Sequence, residues 1–285
     1  MNVTLPENKV FSKRQLIIYA VIIFICVISI IVAFYVQFYA RIDLGKFIGL
    51  GEETNIVKKS EEEIQNIKSN FDKVFTNAIE ENEDNQSKKK DKEKSLVYTN
   101  YEKKETKLNS YDLEVHIPYV NLDKKAANNF NEEINQFVKK TQEVLESENK
   151  NVIYTVEYVA NDYDGILSLM IRSNLKEGTS AQRVIIETFN YDLRNNKEVT
   201  LEEALRIKQI EKSDAEKTIK DEIKLEQDRA ESLKSLGYNI YSRDANNDRY
   251  KVENSDIFYI TKDILYVIYP YGNEELTSEM DLIIF

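Results

Sequence analysis

Residues 152–175, VIYTVEYVANDYDGILSLMIRSNL, hold the pattern from which the fold can be read. Val152, Tyr154, Val156 and Tyr158 alternate with Ile153, Thr155, Glu157 and Val159, which predicts a strand buried in part on both faces. Asn161-Asp162-Tyr163-Asp164-Gly165 is turn chemistry, and ILSLMIRSNL then makes a second strand of the same kind. Working outward, RVIIETFNY at 183–191 reads as a third strand and 111–118 as an earlier one. Residues 257–260 and 264–269 flank Thr261-Lys262-Asp263 as a hairpin, and 281–285 is a short closing strand. Two long helices separate these runs. Over 123–145, Ala126, Phe130, Ile134, Phe137, Thr141 and Val144 step by three or four, an apolar stripe with Asn, Lys and Glu outside it. The second spans Ser213, with Glu216 three residues on as a capping box, to a stop at Gly237; Ile219, Ile223, Ala230 and Leu233 form its apolar face. Thr200 with Glu203 starts a shorter helix in the same way. Strands and helices do not alternate regularly, and no Gly-rich phosphate turn is present. The expected class is therefore α+β, with an antiparallel sheet and two long helices.

Composition narrows function. The 285 residues hold 39 Lys+Arg against 50 Asp+Glu, a net charge of −11, with one His, one Cys and no Trp. Such acidity argues against nucleic-acid binding, which rests on clustered cations releasing counterions from phosphate. One His and one Cys cannot supply a zinc site built from several such ligands, and no cofactor is expected.

Residues 16–40, LIIYAVIIFICVISIIVAFYVQFYA, are an uncharged apolar run long enough to cross a bilayer as a helix. The run exceeds a signal-peptide core, and Phe38 spoils a small-residue cleavage site. Cys26 lies within it. Lys9, Lys13 and Arg14 favour a cytoplasmic N-terminus for this single-pass span, although Arg41, Lys46, Lys58 and Lys59 follow on the other side. Residues 1–40 carry +2, which leaves −13 on the extracytoplasmic part. Beyond the span, Ile64, Ile67, Phe71, Val74, Ala78 and Ile79 mark one stripe of an amphipathic helix, which packs on the distal domain or mediates self-association. NEDNQSKKKDKEK at 82–94 has no apolar side chain and reads as a solvated linker.

The order of these elements matches a known family. FNYDLRNNKEVTLEEAL (189–205), a capped helix, DIFYITKDILYVIYPYGN (256–273) and a final DLIIF resemble the RsiV-like domain, the C-terminal part of lysozyme-binding anti-sigma-V factors. Tyr191, Asp192, Leu193, Lys197, Glu198, Leu201, Glu202, Phe258, Tyr259 and Tyr271 occupy the places of its pattern. Upstream, VHIPYVNLDKKAANNFNEEINQFVKK (115–140) is similar to the module that precedes the catalytic domain of PdaC-type peptidoglycan deacetylases. Where many relatives have a Gly-Gly-Ala-His-Gly loop, this chain has LKEGTSAQR (175–183). The expected organisation is a cytoplasmic tail at 1–15, the span at 16–40, a juxtamembrane helix at 41–81 and the linker at 82–94. A PdaC-like module at 95–148 and an RsiV-like domain at 149–285 complete it.

Candidate sites are few. His116 shares a strand face with Glu114 and could join a triad assembled in space, though a structural role is commoner. Asp244-Ala-Asn246-Asn-Asp248 imitates a calcium loop, but Arg249 and Ser255 fall where Gly and the bidentate Glu are needed. Asp162, Asp164 and Glu157 could pair as glycosidase carboxylates, or simply decorate a turn. Among 18 tyrosines, Tyr238, Tyr241, Tyr250 and Tyr271 form the candidate partner-binding surface. The resemblance and the acidity together imply a membrane-tethered, non-enzymatic sensor or binding module for a cell-wall component or a cationic protein such as lysozyme. One alternative is an anti-sigma-type receptor, which a tail of about 15 residues could serve only through another membrane protein or a short motif. The other is a cell-wall enzyme, but the deacetylase associated with these modules uses an Asp-His-His metal site, and the chain has one His.

Overall fold

In a computed structural model the chain divides into two units, Met1–Val57 and Lys58–Phe285. The described residues are 28, 59–75, 95–147, 151–273 and 275–285. The proposed span (Ile28 apart), the tail before it, Ala78, Ile79 and the 82–94 linker lie outside them. Among the described residues no helix is long and apolar enough to cross a membrane.

The second unit is α+β. A six-stranded sheet has the order β1 (Val97–Lys107), β2 (Tyr111–Val120), β3 (Val152–Tyr163), β4 (Ile166–Glu177), β5 (Arg183–Asp192) and β6 (Lys197–Glu198). A second sheet contains β7 (Phe258–Ile260), β8 (Leu265–Tyr271) and β9 (Glu279–Ile284). The helices are α1 (Glu61–Ser69), α2 (Lys125–Glu133), α3 (Asn135–Glu146), α4 (Leu201–Ile207) and α5 (Lys212–Ser235).

The β3–β4 hairpin forms as its sequence predicts. Asp164 and Gly165 take φ of 52° and 70°, the left-handed pair that suits a two-residue hairpin, and Tyr163 faces Ile166 across the turn. A side chain at Gly165 would also strike Arg194, with a Cβ 2.8 Å from its Nε.

Alternation along the strands builds four layers. On one face of the large sheet, Leu113, Val115, Tyr154, Val156, Leu169 and Phe189 pack on Phe130, Ile134, Phe137 and Val144 of the α2–α3 segment. On the opposite face, Met170 and Ile186 meet Tyr259, Tyr266, Ile268, Leu282 and Ile284 of the small sheet. That sheet's outer face, with Ile260, Val267, Tyr269 and Ile283, is covered by Leu201, Leu205, Ile219 and Ile223 of α4 and α5. The stripe that begins on α1 is taken up within the chain: Phe71 and Phe75, in the helical stretch that follows α1, are buried between the sheets, with Ile64, Ile67 and Val74 beside them. Arg172 fixes this arrangement, lying 4.4 Å over the Phe75 ring and pairing with Asp72 and Glu157. Self-association through Ile64, Ile67, Phe71 and Val74 would first have to detach this face.

Four differences from the sequence expectation have physical causes. The large sheet is not wholly antiparallel: β2 and β3 run parallel, because the α2–α3 crossover returns the chain to the end from which β2 began. The helix expected over 123–145 is two, broken at Ile134, yet its core face survives because Phe130, Ile134, Phe137, Thr141 and Val144 all remain buried. The second long helix has its N-cap at Glu211 rather than Ser213, starts at Lys212, and has no side-chain cap bond from Glu211. Strand β1 was not expected. Its VYTNYEKKETK is charged because it lies at the sheet edge, where only one long side needs a partner. By contrast, the Thr200 capping box is present, and Gly237 at φ 90° closes a Schellman stop, with Tyr238 N–H donating to the Leu233 carbonyl at 3.1 Å.

Candidate functional site

A cleft of about 550 Å³ opens where the edge of β5 is left uncovered, between α2 and the segment leading into β7. Four stretches of chain reach it. Glu133 comes from α2, Glu187 from β5, Glu198 and Glu202 from β6 and the start of α4, and Glu253 and Asp256 from the 3₁₀ turn Val252–Asn254 and the residues after it. No Lys, Arg or His lines the cleft. Its floor is apolar, with Phe130, Phe189, Val252 and Phe258, and the Phe130 and Phe189 rings lie 5.0 Å apart.

A buried polar chain secures the floor. Ser168 Oγ donates to Asn190 Oδ1 at 2.6 Å, Asn190 Nδ2 donates to the Phe258 carbonyl at 2.8 Å, and Ile260 N–H donates to Ser168 Oγ at 2.9 Å. These bonds tie β4 and β5 to β7. The cleft floor is therefore held by the joint between the two sheets.

Electrostatics in the cleft are uncompensated on one side. Glu187 is held above the usual carboxylate range by burial first, then by the charges of Glu133 and Asp256, with a weak opposing hydrogen bond from Gln136. On the other side Lys212 reaches Glu253 at 3.0 Å and Glu202 at 3.6 Å. Low-dielectric walls carrying charge of one sign concentrate the field in the opening. An apolar floor below a carboxylate rim suits a cation on an apolar stem, the chemistry of a Lys or Arg side chain.

Of the six carboxylates, Glu198 and Glu202 entered the sequence reading only as positions of the family pattern, and none was singled out as a site residue. They come from segments up to 123 positions apart, and each alone is an ordinary surface Glu or Asp. Glu198 and Glu202 lie beside the Thr200 capping box, the one local signal close to the cleft.

The tyrosines chosen from sequence are placed differently from one another. Tyr238 is exposed, 61% accessible, just beyond the end of α5. Tyr241, Tyr250 and Tyr271 are brought together, but inward: Tyr250 Oη and Tyr271 Oη are 2.7 Å apart, and Tyr271 Oη donates to Asp281 Oδ2 at 2.6 Å. The Tyr241 ring lies 5.9 Å from that of Tyr271. Tyr250 and Tyr271 are thus core residues: the buried Arg243–Asp281 pair takes the Tyr271 hydroxyl and one face of its ring, and the Tyr250 hydroxyl bonds to that of Tyr271. Burial and the Asp281 carboxylate push the Tyr271 phenol well up.

The other candidates do not converge. His116 is buried with its Nε2 lacking a hydrogen-bond partner, while Glu114 on the same face pairs with Lys104 at 2.7 Å. Glu157 is paired with Arg172, and Asp164 with Arg194. The Asp244–Asp248 stretch is a pair of turns, in which Asp244 accepts from Asn246 N–H and Asn247 from Arg249 N–H. Among the described residues no group of three His, Cys, Asp or Glu could hold a metal ion.

No family model matches the chain, and no curated protein matches it. Among solved structures it is similar to a DUF3298 family protein from Pseudomonas aeruginosa, with 11% identity and a TM-score of 0.38 over 66% of this chain and 88% of that one. It is also similar to a member of the DUF3298 family from Bacteroides fragilis, with 13% identity and a TM-score of 0.30 over 59% of this chain and 79% of that one. With TM-scores this low, neither neighbour carries any part of the functional reading.

Proposed function

We propose that this chain is a membrane-tethered, extracytoplasmic binding module whose acidic cleft takes a cationic side chain of a protein or cell-envelope partner, without catalysing a reaction. The cleft carries the reading: six carboxylates over an aromatic floor, no cation in the lining, and Glu187 raised by burial and then by two like charges. A bound ammonium or guanidinium would supply the missing counter-charge and bury its stem on Phe130 and Phe189. The apolar run at 16–40 supports the tether, and the −13 on residues 41–285 would speed encounter with a basic partner.

The test is binding of the isolated Lys58–Phe285 unit to lysozyme, as a cationic protein, and separately to soluble peptidoglycan fragments, at low and raised salt. Binding that weakens with salt and drops about tenfold or more in a Glu133→Gln/Glu187→Gln/Asp256→Gln variant is expected. Absence of binding to either probe, or equal binding by the variant, would sink the assignment of the cleft. Turnover of the peptidoglycan fragments by pure protein would overturn the non-enzymatic part.

A further inference from the structure

At the edge of the large sheet opposite β1, β5 is the outermost long strand. β6 pairs only with Tyr191 and Asp192, so residues 183–189 have a strand neighbour on the β4 side alone. Two bonds reveal which backbone groups point outward. Val199 N–H donates to the Asn190 carbonyl at 2.9 Å, and Ser278 N–H donates to the Gln182 carbonyl at 2.8 Å, both from beyond the edge. Alternate residues of a strand turn the same way, so the N–H and C=O of Val184 and Ile186 also point outward. Among the described residues no backbone bond reaches them from that side. Such an edge is a template for another strand.

The side chains specify which strand. Arg183, Ile185 and Glu187 share the face toward α2 and α3, as do the buried Phe189 and Tyr191 that continue the same alternation. Ile185 is 43% accessible, an unusual place for a β-branched apolar side chain on an open edge. Arg183 makes no ion pair among the described residues, and Glu187 faces Glu133 and Asp256 without a cation. Run against itself in the antiparallel sense, Arg183-Val184-Ile185-Ile186-Glu187 is its own complement. Centred on Ile185, it sets Arg183 opposite the partner's Glu187, Val184 opposite the partner's Ile186, and Ile185 opposite its own copy. Val184 and Ile186 are the residues whose backbone groups face outward, so this register makes reciprocal hydrogen-bonded pairs without twisting either strand. A cavity of about 750 Å³ between Phe137 and Lys140 on one side and Pro270 and Gly272 on the other runs along this edge, leaving it open to approach.

We propose that two copies of this chain pair through their β5 edges, antiparallel about a two-fold axis at Ile185, joining the two large sheets into one. The shared chemistry is self-complementary charge at both ends of an apolar centre, as a two-fold interface requires. In the dimer the partner's Arg183 would supply at Glu187 the counter-charge that a cationic partner supplies in the monomer, so pairing and partner binding compete for Glu187.

The test uses the full chain in detergent micelles, with Cys26→Ser to remove the native thiol. In this register the two Ile185 Cα atoms form a non-hydrogen-bonded pair roughly 4.5 Å apart, within disulfide reach. Ile185→Cys is expected to give a covalent dimer under mild oxidation. Ile153→Cys, equally accessible but on an interior strand, is expected to stay monomeric. In sedimentation, Arg183→Glu and Glu187→Arg should each weaken dimerisation about tenfold or more by opposing like charges, and the two combined should restore it. The proposal would be overturned by a monomeric wild type at every concentration, by a double exchange no better than the singles, or by Ile153→Cys cross-linking as well as Ile185→Cys. Single exchanges that remain fully dimeric would place any self-association elsewhere in the chain and overturn it equally.

Discussion

Removing one member of the Arg243–Asp281 pair should cost far more than removing both. Arg243 and Asp281 have side chains 5% and 3% accessible, and they meet in a two-pronged contact, Nε to Oδ2 at 3.2 Å and Nη2 to Oδ1 at 2.9 Å. Tyr271 adds a third bond to Asp281, and Glu279 reaches Arg243 Nη1 at 2.8 Å. Burial alone would lower the Arg243 pKa, and the two carboxylates more than offset it, so the net direction is upward. Asp281→Asn keeps the shape and removes the charge. Breaking a buried pair on one side costs about 3–5 kcal/mol. Because Glu279 still faces the guanidinium, the lower end, about 3 kcal/mol or two decades in the unfolding constant, is expected. Arg243→Met should cost about 4 kcal/mol, since it strands Asp281 and leaves Tyr271 as its donor. The double variant Arg243→Met/Asp281→Leu, which buries no charge at the pair, should fall within about 1 kcal/mol of the parent. The assay is urea unfolding of the Lys58–Phe285 unit at pH 7, followed by tyrosine fluorescence and far-ultraviolet circular dichroism. Single losses below about 1 kcal/mol, or a double variant as unstable as the sum of the singles, would show that the pair is neither desolvated nor coupled as described.

Three further outcomes are expected. Glu187 has a folded pKa above its unfolded value, so its ionisation costs stability once pH exceeds the folded pKa. Stability is regained as pH falls through that value toward the unfolded one. At concentrations where the Lys58–Phe285 unit is monomeric, Glu187→Gln should therefore raise its urea midpoint at pH 7 and lose that advantage in acid; a variant less stable than the parent at pH 7 would contradict the assigned repulsion. Phe75→Ala removes a fully buried ring from between the sheets and should cost about 3–5 kcal/mol in the same unfolding assay, with early proteolytic release of α1; a loss under about 1 kcal/mol would mean that the α1 contact is not stabilising. Gly237→Ala forces a side chain into φ 90° and should cost about 1 kcal/mol, measured by thermal unfolding, whereas no loss would refute the Schellman stop.

Elements whose signal is local were legible in the sequence. The Asp164-Gly165 turn, the Thr200 cap and the Gly237 stop each depend on a few adjacent residues, and all three form. Burial of alternate positions in β3, and of both faces of the first half of β4, was equally plain, because their apolar residues face two cores. What could not be read was partnership. Nothing in Tyr111–Val120 says that its neighbour will be β3 run parallel, and β1 is too charged to announce itself as a strand. Tyr250 and Tyr271 resembled contact residues because aromatic composition is shared by surfaces and by cores with buried polar pairs. The acidic cleft was invisible for the same reason: its carboxylates acquire meaning only when β5, α2 and the approach to β7 are side by side.

The seat of α1 also bears on the order in which the chain can finish folding. Its stripe emerges early in synthesis, yet part of the surface that covers it belongs to β8 and β9, and Lys59 Nζ bonds to the carbonyls of Asp263 and Phe285, the latter 226 positions away. Until the last strand leaves the ribosome, Phe71 and Phe75 have no complete site, so a nascent chain carries an uncovered apolar helix through most of its elongation. Deleting 279–285 should therefore do more than shorten the small sheet: it should leave α1 permanently exposed, and make the truncated chain a substrate for chaperones and for aggregation.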